Sequence, residues 1–300
     1  MTGKIIALLH PGEMGAAVGA CLVAGGHRVV CATEGRSAQT RTRANSAGLE
    51  DFGSLERALG AAGVVLSVCP PHGALALGRE VARNRFRGIY VDVNAISPAT
   101  TREVGRAVEA AGATFVDGGI VGPPPVEKNA RTRLYLSGGP AREIAMLFAG
   151  SNLEAVPLEG GAGAASALKA CYAGWTKGAT ALLAAIRALA EHEGVDAALL
   201  AEWKISQPEL EKRSEVVTVQ ARKAWRWIGE MEEIAASFEA AGLPGGFHLA
   251  AADIYRKLEG FKDGAGPPAL AEVTATLRKR EGNKPRRAGR AESVAKGRAV

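Results

Sequence analysis

A lysine, Lys169, stands in one of the most apolar stretches of the chain. The run "GAGAASALKACYAGWTKG", Gly161 to Gly178, reads as a helix of Ala, Leu, Gly and Cys in which Ser166, Lys169, Tyr172 and Thr176 recur at three- or four-residue steps. Such steps draw one polar stripe on an apolar rod. A stripe of this kind faces solvent or a cleft, and its place at a change of composition favours a cleft between two domains. A lysine near its free pKa of about 10.4 is a poor base at neutral pH. Burial among apolar side chains lowers that value, and about 7–8 would let the amine take or give a proton in either direction. Lys169 is therefore the candidate general acid/base. The alternatives are an electrostatic role, polarising a substrate carbonyl, and a surface lysine snorkelling to solvent. Tyr172, one turn on, is placed to supply or relay a proton, or else to sit in the core with its hydroxyl satisfied.

A second stretch says what such a group would work beside. Residues His10 to Gly15, "HPGEMG", occupy the place of a G-x-G-x-x-G dinucleotide turn, with histidine at the first glycine. Gly12 matches the second glycine, which lets backbone approach a pyrophosphate; Gly15 matches the third, which lets the helix pack close to the sheet. Amides from Glu13 and Met14 onward would face phosphate at a helix N-terminus. Pro11 biases His10 toward extended backbone, so the strand is expected to run one residue further before it turns. The second strand ends in "ATEGRS", Ala32 to Ser37. Glu34 stands where an acid can bond a ribose 2′-hydroxyl, whereas Arg36 and Ser37 beside it, with Arg41 and Arg43 beyond, suit a 2′-phosphate. The two signals conflict. The arginine favours NADP, with NAD as the alternative, and a solvated helix face is the other reading of these arginines.

Residues 1–158 alternate short β-branched runs with Ala-rich helical stretches. Strands are expected at Lys4–Leu9, Arg28–Ala32, Val64–Val68, Gly88–Val93, Thr114–Asp117 and Thr132–Ser137, and near Glu154–Pro157. Helices between them predict right-handed crossovers and a parallel sheet. Beyond Gly160 the pattern turns helical: a long helix from about 162 to 193, Pro208 at a helix start, and apolar residues at Trp227, Ile228, Met231, Ile234, Ala235 and Phe238. The expected class is α/β, an N-terminal Rossmann doubly wound sheet over residues 1–158 followed by an all-α domain over 159–280 for substrate and dimerisation.

The net charge of +6 is concentrated at one end. From Arg278 onward nine Lys/Arg stand against two Glu, and the rest of the chain is close to neutral. Residues 281–300 read as a basic disordered tail. Such a tail could touch nucleic acid, but a solvated tail is the simpler reading and no nucleic-acid partner is expected. The apolar runs are too short for a membrane span. Four cysteines without CxxC spacing and five scattered histidines predict a reduced cytoplasmic protein with no metal site.

The order of motifs resembles the β-hydroxyacid dehydrogenase family, which includes 3-hydroxyisobutyrate and 6-phosphogluconate dehydrogenases, and within it a branch whose helical C-terminal domain has no known function. "PGEMG" with "GGHRV" is similar to the family's opening G-x-G-x-M-G and G-H-x-V segments. "VVLSVCPP" resembles the segment whose backbone passes the nicotinamide ribose, which implies cofactor contacts at Val68 and Pro70. "VDVNAISP" resembles D-x-S-[ST]-x-x-P and implies that Asn94 lies near the nicotinamide and the substrate. "GAGAASALKACYAG" resembles G-x-G-x-x-x-K-x-x-N-N, with Lys169 at the catalytic lysine. The departures are as informative. The Ser-Gly-Gly that holds a substrate carboxylate in the family is Val121-Gly122-Pro123 here, without the hydroxyl and with one N–H fewer. The asparagine four residues beyond the lysine is Ala173, and the acid that decarboxylating members carry seven beyond it is Thr176.

The resemblance implies an NAD(P)-dependent oxidoreductase that interconverts a secondary alcohol and its carbonyl form on a small polar metabolite, working as a homodimer. The missing acid favours simple dehydrogenation or reduction over decarboxylation. Lys128, Arg131 and Arg133 could attract an anionic substrate or form a solvated loop, and Lys177 and Lys262 are weaker candidates for the site. Two alternatives stay open: a reductase of C=N bonds, against which Lys169 counts, and a non-catalytic NAD(P)-binding sensor.

Overall fold

The computed structural model describes residues 4–127, 131–262 and 264–279. The expected tail at 281–300 and the candidate Lys128 lie outside them. The first half runs β1 (Ile5–Leu9), α1 (Glu13–Ala24), β2 (Arg28–Cys31), α2 (Ala38–Ser46), β3 (Glu50–Asp51), α3 (Leu55–Ala61), β4 (Val64–Ser67), α4 (Ala74–Arg83), β5 (Ile89–Asp92), α5 (Pro98–Glu109), β6 (Thr114–Val121), β7 (Thr132–Ser137), α6 (Ala141–Met146) and β8 (Leu153–Pro157). The strands form one sheet in the order β3-β2-β1-β4-β5-β6-β7-β8. Strand residues alternate between its two faces: Ile6 and Leu8 pack with Val18 and Leu22 of α1, whereas Ala7 and Leu9 pack with Leu77 of α4 and Val104 of α5.

Two features depart from the sequence expectation. The sheet is not wholly parallel, because β6 and β7 pair antiparallel, Val121 facing Arg133. Only a proline-bearing loop joins them, and without a crossover helix two adjacent strands must reverse direction. The strand that contains Asp117 also continues to Val121, which buries the Val121 side chain in the sheet. The second departure is β3, a two-residue edge strand whose acidic sequence, Glu50-Asp51, carries no strand propensity. It forms because Asp51 accepts the Thr33 amide and hydroxyl and the Gly53 amide.

The second half is helical: α7 (Ala164–His192), α8 (Asp196–Ser206), α9 (Leu210–Gln220), α10 (Trp227–Ala240), α11 (Gly246–Lys257) and α12 (Leu270–Arg278), with a 3₁₀ segment at Ala221–Arg226. Its core gathers Ala173, Ala181 and Ala184 of α7 with Met231, Ile234, Ala252, Tyr255 and Val273. The small residues of α7 let the other helices close around it.

Helix α7 crosses from one half to the other, and two devices fix where it starts. Asp117 of β6 is fully buried and accepts from the Gly163 amide (2.8 Å), the Ser166 amide (3.1 Å) and the Ser166 hydroxyl (2.6 Å). A carboxylate there answers the unpaired amides and the positive end of the helix. Gly119 supplies the second device. A Cβ at that position would lie 2.9 Å from the Ala165 carbonyl oxygen and 3.0 Å from Lys169 Cβ. Glycine therefore lets α7 lie directly on β6, and Lys169 comes out one turn beyond the contact.

Candidate functional site

The turn after β1 departs from its expected conformation. Strand β1 stops at Leu9, and His10 is left-handed, with φ +66°. The extended backbone that Pro11 favours at His10 is not adopted, and the Gly12 amide bonds back to the His10 carbonyl (2.7 Å), which closes a three-residue turn centred on Pro11. That carbonyl also explains Gly15, where a Cβ would sit 2.5 Å from it. At Gly12 nothing lies within 4 Å of the corresponding position, so the backbone there is open to a ligand. Helix α1 starts at Glu13 with no side-chain cap, which leaves the amides of its first turn facing the same opening.

Beyond the turn lies a cavity of about 340 Å³ whose lining includes His10, Glu34, Arg36, Gly53, Leu55 and Leu77. Arg36 and Glu34 thus line one cavity. The Arg36 guanidinium bonds His10 Nε2. Ser37 caps α2 through the Thr40 amide, and Thr33 gives both amide and hydroxyl to Asp51. These two hold the loop that carries Arg36. Burial, and then the charge of Arg36, push the His10 imidazole down to about 4, so it is neutral at physiological pH.

At the next strand ends, Val68 continues β4 by bonding the Leu9 carbonyl, and Pro70 starts the 3₁₀ turn at Pro71–Gly73. Asn94 is buried, and its side chain ties the two ends together. Its amide nitrogen donates to Ser67 and Asp92, and its oxygen accepts from the Cys69 amide. Both donors of Asn94 are used within the fold. Burial pushes its neighbour Asp92 up to about 7 against the opposing bonds from Asn94.

Lys169 lines a narrow cleft with Ala95, Ile96, Ala170, Glu230, Glu233 and Ile234, between the β5 end and α10. Its ammonium is 3.7 Å from Glu230 Oε1, and Lys177, two turns further along α7, bonds Glu230 Oε2. Burial works to raise the Glu230 carboxyl, but Lys177 and Lys169 outweigh it and hold the group ionised below its usual range. Burial pushes Lys177 down to about 8; Glu230 opposes the shift and Lys169 adds to it. Two ammonium groups thus share one buried carboxylate. Glu233, one turn below, accepts from the Ser97 amide and the Thr100 hydroxyl, and so docks α10 on the start of α5.

The polar stripe on α7 does not hold together. Ser166 turns inward to Asp117 and Thr101, and the Thr176 hydroxyl bonds the Tyr172 carbonyl. Tyr172 is 49 % exposed and does not line the cleft that holds Lys169. Steps of three or four residues drift around the helix, and the neighbouring helices cover only part of it. Arg131 lines a groove of about 760 Å³ against β8 and α6, and Arg133 pairs with Glu154, so neither joins Lys169. Pro123 offers its carbonyl to Thr132, and Gly122 at φ +124° carries the turn out of β6. Lys262 lies over the Trp225 ring instead of in the cleft. The sequence analysis missed Glu230, because its partners lie more than fifty residues away, and underrated Lys177. It also missed Lys223 and Arg226, which bond the Glu13 carboxylate from the helical half and draw it below its usual range, Lys223 foremost.

Residues 190–258 match a domain of unknown function, DUF1932. None of the curated protein sequences matches the chain. Among solved structures, a conserved protein of unknown function, described as structurally similar to 3-hydroxyacid dehydrogenases, superposes with a TM-score of 0.64 at 28% identity, over 86% of this chain and 97% of that one. The 3-hydroxyisobutyrate dehydrogenase of Mycobacterium tuberculosis gives 0.63 at 22% identity, over 92% and 100%. A reductive aminase from Aspergillus terreus, solved with NADPH and ethyl levulinate, gives 0.53 at 18% identity, over 93% and 100%. The chain has the fold of the 3-hydroxyacid dehydrogenases. Imine-reducing enzymes share that fold, and the helical half carries the DUF1932 region.

The residues of the β1 turn fit a dinucleotide. The open approach at Gly12, the free amides of α1 and the cations Lys223 and Arg226 beside Glu13 provide for a pyrophosphate. The cavity bearing Arg36 and Glu34 provides for the adenosine end. Among the described residues no helix is long and apolar enough to cross a membrane.

Proposed function

We propose that the protein is an NADP-dependent oxidoreductase that interconverts a secondary alcohol and its carbonyl form on a small polar metabolite, with Lys169 as general acid/base. The observation that carries the reading is the Lys169–Glu230 pair, buried between the nucleotide-type half and the helical half. A bound nicotinamide supplies hydride exchange with the substrate carbon. Lys169 handles the matching proton: its amine takes the hydroxyl proton in oxidation, and its ammonium returns one to the forming alkoxide in reduction. Glu230 holds the ammonium in place, and Lys177 keeps a second positive charge nearby. The Lys169 amine and the Glu230 and Glu233 carboxylates line the same cleft, which suits a substrate with strongly polar groups. Arg36 supports NADP over NAD because it puts a guanidinium, the group that pairs with phosphate, in the lining of the cavity beside the β1 turn.

Reduction of C=N bonds is the second reading, favoured by the shared fold with the Aspergillus terreus reductive aminase. The test is a screen of NADP(H) absorbance changes with hydroxy acids, sugar acids and cyclic imines, run beside Lys169→Ala. We expect turnover of an alcohol or carbonyl substrate and a loss of about 10²–10⁴ in kcat for the variant. Undiminished activity in Lys169→Ala would remove the lysine from the mechanism, and turnover of imines alone would favour the second reading.

A homodimer is part of the proposal. Trp175, Leu182 and Leu189 are exposed at seven-residue spacing on α7, a seam of the kind that packs against another helix. Light scattering should give twice 31.0 kDa, and the monomer mass would refute the dimer. The free thiols Cys21, Cys31, Cys69 and Cys171 suit the reducing cytoplasm.

A further inference from the structure

His10 raises a question that the nucleotide reading leaves unanswered. A residue with a side chain occupies the left-handed position that suits glycine, a strained conformation. Strain of this kind persists where it serves a site. The His10 side chain reaches one partner among the described residues, the guanidinium of Arg36. Arg36 is otherwise exposed, on a loop whose backbone is held by the Arg36 amide to the Thr33 carbonyl (2.9 Å) and by Arg41 to the Arg36 carbonyl. The loop therefore fixes where Arg36 begins, and His10 fixes where its charge ends. Arg36 can only donate, so His10 Nε2 must accept, which requires a neutral imidazole with its proton on Nδ1. Burial and the neighbouring guanidinium keep the ring neutral. Both side chains line the same cavity, as does Glu34, which would otherwise draw the arginine away from a phosphate.

We propose that His10 is a specificity-determining positioning residue: its imidazole holds the Arg36 guanidinium at the ribose 2′ position and so selects the 2′-phosphorylated dinucleotide. The proposal rests on the cofactor reading above and adds a role for the residue that displaces the first glycine. It costs the turn some strain and gives the arginine a fixed charge rather than a mobile one.

The test is fluorescence titration of the full chain with NADPH and with NADH, for wild type, His10→Gly, His10→Gln and Arg36→Ala. Glycine keeps the left-handed turn without the acceptor, and the glutamine amide oxygen reaches about as far as Nε2. We expect wild type to prefer NADPH. His10→Gly should weaken NADPH about tenfold, the size of a lost hydrogen bond to a charged group, with NADH within about twofold of wild type. His10→Gln should recover most of the preference. Equal weakening of NADPH and NADH in His10→Gly would make His10 a turn residue and overturn the proposal. Unchanged affinities in His10→Gly, with NADPH lost in Arg36→Ala, would overturn it while leaving the cofactor reading intact. If wild type binds neither dinucleotide, the cofactor reading itself fails and the proposal falls with it.

Discussion

Asp117 and Glu230 are both buried carboxylates that grip α7, and they do it with opposite partners. Asp117 takes neutral donors: the Gly163 and Ser166 amides and the Ser137 and Ser166 hydroxyls. Every contact is at hydrogen-bond distance, and the donors come from the helix start and the adjacent strand. Glu230 faces two ammonium groups, Lys169 and Lys177, and its Oε1 has no hydrogen bond among the described residues. The first arrangement satisfies its charge with fixed dipoles and leaves nothing to exchange. The second holds labile protons in a cleft with one lone pair to spare. A helix that must present a proton-transfer group needs both, one carboxylate to fix its origin and one to govern its charge.

The sharpest way to break the comparison is Asp117→Ala. The substitution removes the acceptor for four donors, two of them amides of the first turn of α7. We expect a loss of about 3 kcal/mol in stability, measured by urea denaturation, from the lost helix cap and the stranded buried donors. A loss within about 0.5 kcal/mol, as for an ordinary surface change, would mean that α7 is held by its apolar face alone.

Glu230→Gln should cost less, because its partners can respond. With Lys177 at about 8, shedding its proton at pH 7 costs about 1.4 kcal/mol, and that limits what the lost counter-charge can exact from this lysine. The signature should instead be in activity: without the carboxylate that opposes its downward shift, Lys177 gives up its proton at lower pH, and the pH–rate profile moves to lower pH. An unmoved profile would separate Glu230 from the chemistry. Lys177 offers a test of the same charge by stability. Its folded value lies below its ordinary 10.5, so the unfolded chain binds more protons between the two values. Wild type should therefore gain stability as pH rises from about 8 to 10.5, with the penalty fully present below 8. Lys177→Met should lack that slope. Equal slopes in the two proteins would show that Lys177 is not the buried charge.

The same contrast explains what the sequence made legible. The Rossmann order, the glycines at 12 and 15, the strand at Thr132–Ser137 and the long helix around Lys169 all rest on local patterns: alternation, helical spacing and turn chemistry. Their physics acts over a few residues, so the chain displays it. The antiparallel turn into β7 and the short β3 depend instead on partners that strand patterning does not reveal. Glu230 is a single acid in the acidic run "GEMEEIAAS", and nothing in that run marks it from Glu232 or Glu233. It differs because helical packing turns one of the three toward Lys169 and Lys177. His10 was visible as a departure from the motif, but its left-handed conformation was not, since the pre-proline bias points the other way.

The smallest effect sharpens the comparison most. Ser137 donates to Asp117 (3.0 Å) and accepts from the Ala165 amide (3.0 Å), so its hydroxyl links β7, β6 and α7. Ser137→Ala removes one donor while three remain on Asp117, and leaves the buried Ala165 amide without its acceptor. We expect a loss of about 1 kcal/mol by urea denaturation, with the slope against denaturant unchanged. Because only hydroxyl and amide protons are involved, the loss should be the same from pH 8 to pH 9, above the value of about 7 at which the neighbouring Asp92 carboxyl changes charge, and the pH–rate profile should superimpose on that of wild type. A loss that grew or shrank across that range would mean that the Asp117 knot shares protons with the Glu230 site further along α7, and the division of labour between the two carboxylates would have to be given up.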